Sequence, residues 1–162
     1  MSSTGFYAMV TALVRLRRIM RLRKAEQPAR FLAEPRVPLN LIPIDLVAEA
    51  TARIALADDT ARVFHLTNTR PPMLGDAFAA ILGLLGMPEA EFTDAADRLG
   101  DLDQRARQAF HEPYLSSDLT FDGTNTAQVC GADTLSYPFD AAAYERVTTW
   151  FLENSLRGVA NV

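Results

Sequence analysis

Apolar side chains recur at helical spacing near the start of the chain and predict a long helix from about Phe6 to Lys24. At about 100° per residue, one set of apolar positions falls within roughly 80° of arc. That set is Phe6, Met9, Leu13, Leu16 and Met20. Ile19 and Leu22 add a second apolar flank. A helix that is apolar on two sides packs between two bodies or against a partner chain, so we expect residues 1–24 to form a basic amphipathic helix at an interface.

A strand–helix–strand pattern follows in the next part of the chain. The apolar run of residues 39–44 contains Pro43, which cannot donate to a sheet ladder, so this run predicts a short or edge strand. Asp45 can cap the helix that follows, because its carboxylate accepts free backbone N–H groups. Residues 62–68 are rich in β-forming side chains and predict a second strand. Such units usually form parallel sheet through a right-handed crossover.

Helices also dominate the second half of the chain. Residues 74–85 predict a helix with a buried face, which ends before Gly86. That face consists of Leu74, Phe78, Ile81, Leu82 and Leu85. Residues 101–111 predict another helix, and residues 119–122 a short extended piece.

The C-terminal part begins with a turn at residues 123–126, where Asp122 and Asn125 read as turn formers. The turn leads into a brief helix that holds Cys130. Asp140 can cap the last helix. The apolar positions of that helix are Tyr144, Val147, Trp150 and Phe151.

These elements predict an α/β fold that is mostly helical. The small, partly parallel sheet is expected to use strands near residues 39–44, 62–68 and 119–122. A chain of 162 residues has the size of one domain with its own core, so residues 1–162 are assigned to a single domain.

Charge is distributed unevenly along the chain. Residues 1–36 hold eight basic and two acidic side chains, a net +6, and the other 126 residues hold eight arginines and eighteen acids, a net −10, which together give −4. A basic helix on an acidic body suggests an anionic partner, and Arg15, Arg18 and Arg21 are the predicted binding residues. A phosphate-bearing ligand, an acidic carrier protein and a merely solvated face all fit. Nucleic acid is disfavoured, because aromatic residues do not interleave with the basic ones.

The sequence has few features of targeting signals or of redox chemistry. The sequence contains no run of about 18 apolar residues, so it predicts no membrane span. No signal peptide is apparent, and a cytoplasmic protein is therefore expected. The single cysteine, Cys130, excludes an intrachain disulfide and reads as an inert buried thiol. With only two histidines, metal binding is poorly supported. His65 lies within a predicted strand and reads as a core histidine.

Acid–base chemistry has one candidate group of residues. Imidazole exchanges protons near neutral pH, and His111 has a tyrosine and an acid close by in sequence. The candidate catalytic residues are His111, Tyr114, Asp118 and Asp45. A surface role for His111 and a capping role for Asp45 are the structural alternatives.

Three stretches resemble the C-terminal half of an extended short-chain dehydrogenase/reductase, in its thioester-reductase and fatty-acyl-CoA-reductase-like branch. Residues 4–7, TGFY, look like the segment after the sixth strand of that family. Residues 39–50, LNLIPIDLVAEA, and 63–68, VFHLTN, are similar to its "N-x-I/V-P-V-D-x-V-A-x-A … V-Y-H-L-T-N" signature. Residues 113–115, 121–126 and 138–139 look like its C-terminal "F-D-N-S-N-T" region, where Gly123 replaces the usual Asn. The resemblance implies a substrate-side half whose binding residues are Phe6, Tyr7, Met9, Ile42, Pro43 and Tyr137.

The catalytic parts of that family are missing. Its members bind NADP through an N-terminal Gly-rich strand–turn–helix, and no G-x-x-G-x-x-G occurs here. Its catalytic pair is a Tyr with a Lys four residues later, and Lys24, the only lysine, does not stand at that distance from any tyrosine. We therefore expect no cofactor and no autonomous NAD(P)-dependent oxidoreductase.

Several functions remain open at this stage. The first is binding of a small acyl or polyketide-type ligand by a truncated reductase-like protein. A cofactor-independent enzyme of cyclase, isomerase or dehydratase type is the second. The third is a subunit of a split reductase or a non-catalytic scaffold. Half of a doubly wound fold would leave apolar surface uncovered, so we expect a homodimer or a Rossmann-type partner chain.

Overall fold

The structure, a computed structural model, describes residues 5–58, 63–104 and 119–155 of the chain. These residues group into two compact units. The first unit takes its described residues from Met1–Val37, Met73–Ser117 and Asp140–Val162. The second takes them from Pro38–Pro72 and Asp118–Phe139. The chain therefore enters and leaves the second unit twice.

Helix α1 (Phe6–Arg23) belongs to the first unit and matches the sequence prediction. Four of the five predicted face residues are buried, namely Met9, Leu13, Leu16 and Met20. Phe6, the fifth, is half-buried. Leu22, on the predicted second flank, is 75% exposed. The periodic face thus packs within the first unit.

Two three-residue strands form the sheet of the first unit. Strand β1 (Arg30–Leu32) pairs in parallel with β2 (Glu91–Thr93). Phe31 stands opposite Phe92 in this register, and both rings contact Phe78, with centroids 4.8 and 5.5 Å away. The pairing thus places two aromatic side chains on the apolar face of the helix that contains Phe78.

Helix α3 (Leu74–Leu84) is that helix, and it packs against α1 and against the last helix of the unit. All five predicted face residues are buried, namely Leu74, Phe78, Ile81, Leu82 and Leu85. Gly75 lies close to Pro35, whose carbonyl accepts the Gly75 N–H at 2.8 Å. Residues 101–104 are also helical, and the rest of the helix predicted for 101–111 lies outside the described residues.

The last helix, α5 (Ala141–Ser155), begins as predicted at a capping aspartate. The carboxylate of Asp140 accepts the Ala143 N–H at 2.8 Å. Tyr144 and Phe151 are buried, whereas Trp150 is 56% exposed. Two of the predicted apolar positions, Tyr144 and Phe151, therefore pack into the core, whereas Trp150 lies at the edge of the buried face.

The second unit consists of α2 (Ile44–Leu56), α4 (Thr124–Cys130) and the segments around them. The two helices pack on each other around Ala50, Cys130 and Leu135. The thiol of Cys130 is buried and donates to the Ala50 carbonyl at 3.7 Å. This unit has a small core, because only those residues of its apolar cluster are fully buried.

The predicted fold class is confirmed in outline, since the described chain is mostly helical with a small parallel sheet. The predicted strand positions are wrong wherever they can be compared. Residues 39–43, 63–68 and 119–122 belong to no strand. In the middle segment, side chains take over backbone groups that a sheet would use. Asn125 donates to the Val63 carbonyl and Thr126 to the His65 carbonyl, at 2.9 and 2.8 Å.

Crossing a bilayer requires a helix that is both long and apolar. None of the helices in the part of the chain that the structure describes combines that length with that apolarity.

Candidate functional site

The predicted substrate-binding residues fall into two groups, one in each unit. Phe6, Tyr7 and Met9 belong to the first unit, where they contribute to helix packing. The Tyr7 ring stacks on Phe151 with centroids 4.7 Å apart, and the Phe6 ring lies 6.2 Å from Tyr144. These contacts are what a helix–helix interface requires.

Ile42, Pro43 and Tyr137 form the group in the second unit, and all three are half-buried. Ile42 packs against the small apolar cluster. The Tyr137 ring makes an edge-to-face contact with Phe139, with centroids 5.2 Å apart. The second unit therefore offers partly accessible apolar and aromatic side chains close to a small core.

The buried side chain of Asn68 holds the segments of this unit together. Its amide N–H groups donate to the carbonyls of Leu41 and Tyr137 at 2.8 and 2.7 Å. Its carbonyl oxygen accepts the N–H groups of Arg70 and Tyr137 at 2.9 and 3.1 Å. The Asn68 backbone N–H donates in turn to the side chain of Asn40 at 2.8 Å. All the hydrogen-bonding capacity of this amide is used on backbone groups of three segments.

Asp45 does not cap α2 as the sequence analysis predicts. The capping position is Pro43, and Asp45 lies exposed within the first helical turn. A carboxylate at that place still interacts favourably with the N-terminal end of the helix dipole. The prediction is wrong by two residues, because Pro43 has the fixed φ that a helix entry tolerates.

A second polar arrangement, the His65 corner, surrounds the imidazole of His65. Nδ1 of the ring lies 2.9 Å from the backbone carbonyl of Asp122. A carbonyl only accepts, so Nδ1 carries the proton and Nε2 holds the lone pair in the neutral ring. The ring also lies against Phe121, with centroids 5.2 Å apart, and Phe121 is 50% exposed. A proton acceptor thus adjoins an accessible aromatic surface.

The sequence predicts a core histidine at His65, and the structure differs. The residue is half-buried, and its orientation depends on a carbonyl 57 residues away. The flanking apolar residues, Phe64 and Leu66, gave the impression of a buried strand. The predicted turn at Asp122 was the one usable signal, since that turn places the carbonyl.

The carboxylate of Asp122 is held by the start of α4. Its Oδ1 accepts the Thr124 N–H at 2.9 Å and also the Thr124 hydroxyl. These hydrogen bonds hold the pKa of Asp122 below its ordinary value, with the hydroxyl contributing most. Asp122 forms the predicted turn through its bond to the Thr124 N–H, whereas Asn125, predicted as a turn residue, lies in the first turn of α4. Both residues fix the chain around His65, Asp122 through its carbonyl and Asn125 through its side chain.

The predicted anion-binding arginines on α1 lie in different surroundings. Arg15 and Arg18 are exposed. Arg21 lines a cleft at the end of the helix, together with Arg17 and Lys24, which are not among the predicted binding residues. Helical spacing alone separates Arg17 from Arg21 by one turn, so both lie on one face.

The remaining catalytic candidates, His111, Tyr114 and Asp118, lie outside the described residues. Within those residues, no group of three or more His, Cys, Asp and Glu side chains is arranged to hold a metal ion.

Comparison with known proteins gives no relative to set beside this geometry. No protein-family model matches the chain, and neither a curated protein nor a solved structure does.

Proposed function

We propose that the protein binds a small acyl or polyketide-type molecule in the cytoplasm, as the substrate-side part of a reductase-like chain without redox machinery. The observation that carries the proposal is the set of hydrogen bonds made by Asn68. Asn68 and Leu41 lie in the two segments of the central stretch that resembles the extended reductases, residues 63–68 and 39–50. Tyr137 directly precedes residues 138–139 of the C-terminal stretch. Convergence of these stretches in one compact unit supports a shared role for them.

An acyl ligand also suits the surface of the second unit. Several apolar side chains around its core remain half-buried, namely Ile42, Leu46, Ile54, Leu66 and Val129. Covering apolar surface is favourable by roughly 25 cal/mol per Å². An alkyl or polyketide chain that lies on these residues would thus gain affinity from their burial.

The test is a titration of isotope-labelled protein with acyl thioesters of N-acetylcysteamine, followed by amide NMR shifts. We expect saturable amide shifts at Ile42 and Tyr137. We expect no saturable shift at Phe6, which packs within the first unit. Ile42→Ser should weaken binding by about tenfold, because it removes most of an apolar side chain.

Leu56→Ser provides the matched control, since Leu56 belongs to the same unit and is 89% exposed. It should leave affinity within about twofold. Absence of saturable shifts for every thioester would contradict the proposal, and so would equal losses in the two folded variants.

A second candidate function, cofactor-independent proton transfer, is favoured by the fixed ring of His65. The Nδ1 hydrogen bond to Asp122 leaves Nε2 as a base beside Phe121. His65→Asn can keep a donor for that carbonyl while it removes Nε2. We expect this variant to bind thioesters normally. It should lose cyclisation or isomerisation of a β-keto thioester, or dehydration of a β-hydroxy thioester, measured by mass spectrometry and NMR. Unchanged turnover would remove His65 from the reaction and leave His111, Tyr114, Asp118 and Asp45 as candidates.

For assembly, we propose that a partner chain or a second copy of this chain covers exposed apolar residues of the second unit. Four large apolar side chains of the second unit are strongly exposed, namely Ile44, Leu56, Val63 and Leu119, at 81, 89, 69 and 72%. Sedimentation equilibrium measures self-association directly. A monomer at all concentrations would favour the split-reductase alternative, in which a nucleotide-binding chain covers these residues.

A further inference from the structure

A small cleft in the first unit is lined by three cationic side chains. Its volume is about 160 Å³, and it lies between the end of α1 and the segment that follows α3. Arg17, Arg21 and Lys24 provide the charges, Glu26 is the one acidic residue in the lining, and Met20 and Met87 contribute apolar wall. We refer to this set of residues as the basic cleft.

Arg17 is the least accessible of the three cations. Its Nε is buried and finds no hydrogen-bond partner among the described residues. Burial, and to a smaller extent the charge of Arg21, lower the pKa of the Arg17 guanidinium, which nevertheless stays protonated. A buried donor without a partner is destabilising, so an acceptor that reached it would be bound favourably.

Lys24 occupies a backbone position that favours glycine. Its φ of 53° is the only positive value for a non-glycine residue in the described chain. This conformation is accompanied by two hydrogen bonds that cap the helix. The N–H groups of Lys24 and Ala25 donate to the carbonyls of Arg21 and Met20 at 3.2 and 2.9 Å. Two of the last four carbonyls of α1, those of Met20 and Arg21, are therefore already satisfied, which reduces their repulsion of an anion.

Among the described residues, no ion pair neutralises the cations of the basic cleft. Ion pairs within the described residues join Arg30 to Glu91 and Arg53 to Glu49, and neither involves the cleft. Three cations and Glu26 leave an excess of two positive charges in a space that suits a small anion. Guanidinium groups bind phosphate oxygens in a bidentate manner, which an isolated ammonium does not.

We propose that the basic cleft binds the phosphate group of a small organic molecule. The organic part would lie on Met20 and Met87. This site belongs to the first unit and goes beyond the acyl ligand proposed for the second.

The experiment is isothermal titration calorimetry of the whole chain with inorganic diphosphate and with hexyl phosphate. We expect one saturable site whose affinity falls from low to physiological ionic strength, about 0.15 M, as partly exposed charges are screened. Arg17→Gln, Arg21→Gln and Lys24→Gln should each weaken binding by about tenfold or more, since each removes a charged donor. Arg21 and Lys24 are exposed, so their replacement leaves folding intact even if the Arg17 variant fails to fold.

Arg15→Gln and Arg18→Gln are the matched controls, because both side chains are exposed on the same helix and outside the basic cleft. They make the same change in net charge and should alter affinity by less than about twofold. Equal losses in the controls and in the cleft variants would overturn the proposal, as would no binding of either probe. Inorganic phosphate, titrated in the same way, serves as the reference for hexyl phosphate. Hexyl phosphate should bind more tightly than inorganic phosphate, and the reverse order would overturn the assignment to an organic phosphate. Thioesters of N-acetylcysteamine carry no phosphate, so failure here is distinguishable from failure of the proposed acyl site.

Discussion

The side-chain amide of Asn68 and the backbone of Tyr137 form a reciprocal pair of hydrogen bonds, at 2.7 and 3.1 Å, between residues 69 positions apart. This pairing resembles the one that two strands would make through their peptide groups. A single side chain thus joins two segments that lie outside any strand.

Replacement of Asn68 by alanine should lower the free energy of unfolding by about 3 kcal/mol. The side chain is 5% exposed, and its removal leaves two carbonyls and two N–H groups without their partners. Asn154→Ala is the control, because Asn154 is exposed and, within the described residues, its side chain donates to the Trp150 carbonyl alone. Urea unfolding checks both variants. Equal losses for the two would show that Asn68 does not hold the second unit together.

Two glycines of α3 should respond to alanine with opposite signs. At Gly75 an added Cβ would meet the Pro35 Cβ at 3.1 Å and its carbonyl oxygen at 3.3 Å, so Gly75→Ala should destabilise by about 1–3 kcal/mol. At Gly83 nothing lies within 4 Å, and Gly83→Ala should stabilise by about 0.5–1 kcal/mol through helix propensity. Thermal unfolding distinguishes the two. The same sign for both variants would argue against the close approach of Pro35 to α3.

The hydrogen bonds at Asp122 predict a pH effect with a definite sign. Its pKa is lowered in the folded chain from an ordinary 3.8, so the stability it contributes is present above about pH 4 and is lost as the pH falls. Thr124→Ala removes the hydroxyl donor and should raise the pKa of Asp122 towards 3.8. A ¹³C NMR titration of the carboxyl group measures the change. An equal pKa of Asp122 in the unmodified protein and in the Thr124→Ala variant would exclude the Thr124 hydroxyl as the cause of the lowered pKa.

Local pattern accounts for the parts of the fold that the sequence predicted well. The apolar spacing of residues 74–85 depends only on helical geometry, and all five predicted face residues are buried. Asp140 caps α5 because its carboxylate needs nothing beyond the next three residues. Such signals are complete within one turn of chain.

The parts that were predicted wrongly depend on distant contacts. Strands β1 and β2 have three residues each, too few for alternation to be visible, and they pair residues 61 positions apart. Residues 63–68 have strand-like composition, yet Asn125 and Thr126 take up their carbonyls. His65 and Arg17 were missed for the same reason, since their surroundings arise only when separate segments meet.

The central claim is that this chain binds an acyl ligand without nicotinamide chemistry. Its most direct test is calorimetry of the purified protein with an acyl thioester of N-acetylcysteamine and, separately, with NADPH. Saturating inorganic diphosphate is present throughout to occupy the basic cleft. The account predicts stoichiometric uptake of the thioester and no uptake of NADPH, whereas stoichiometric NADPH binding without thioester binding would contradict it.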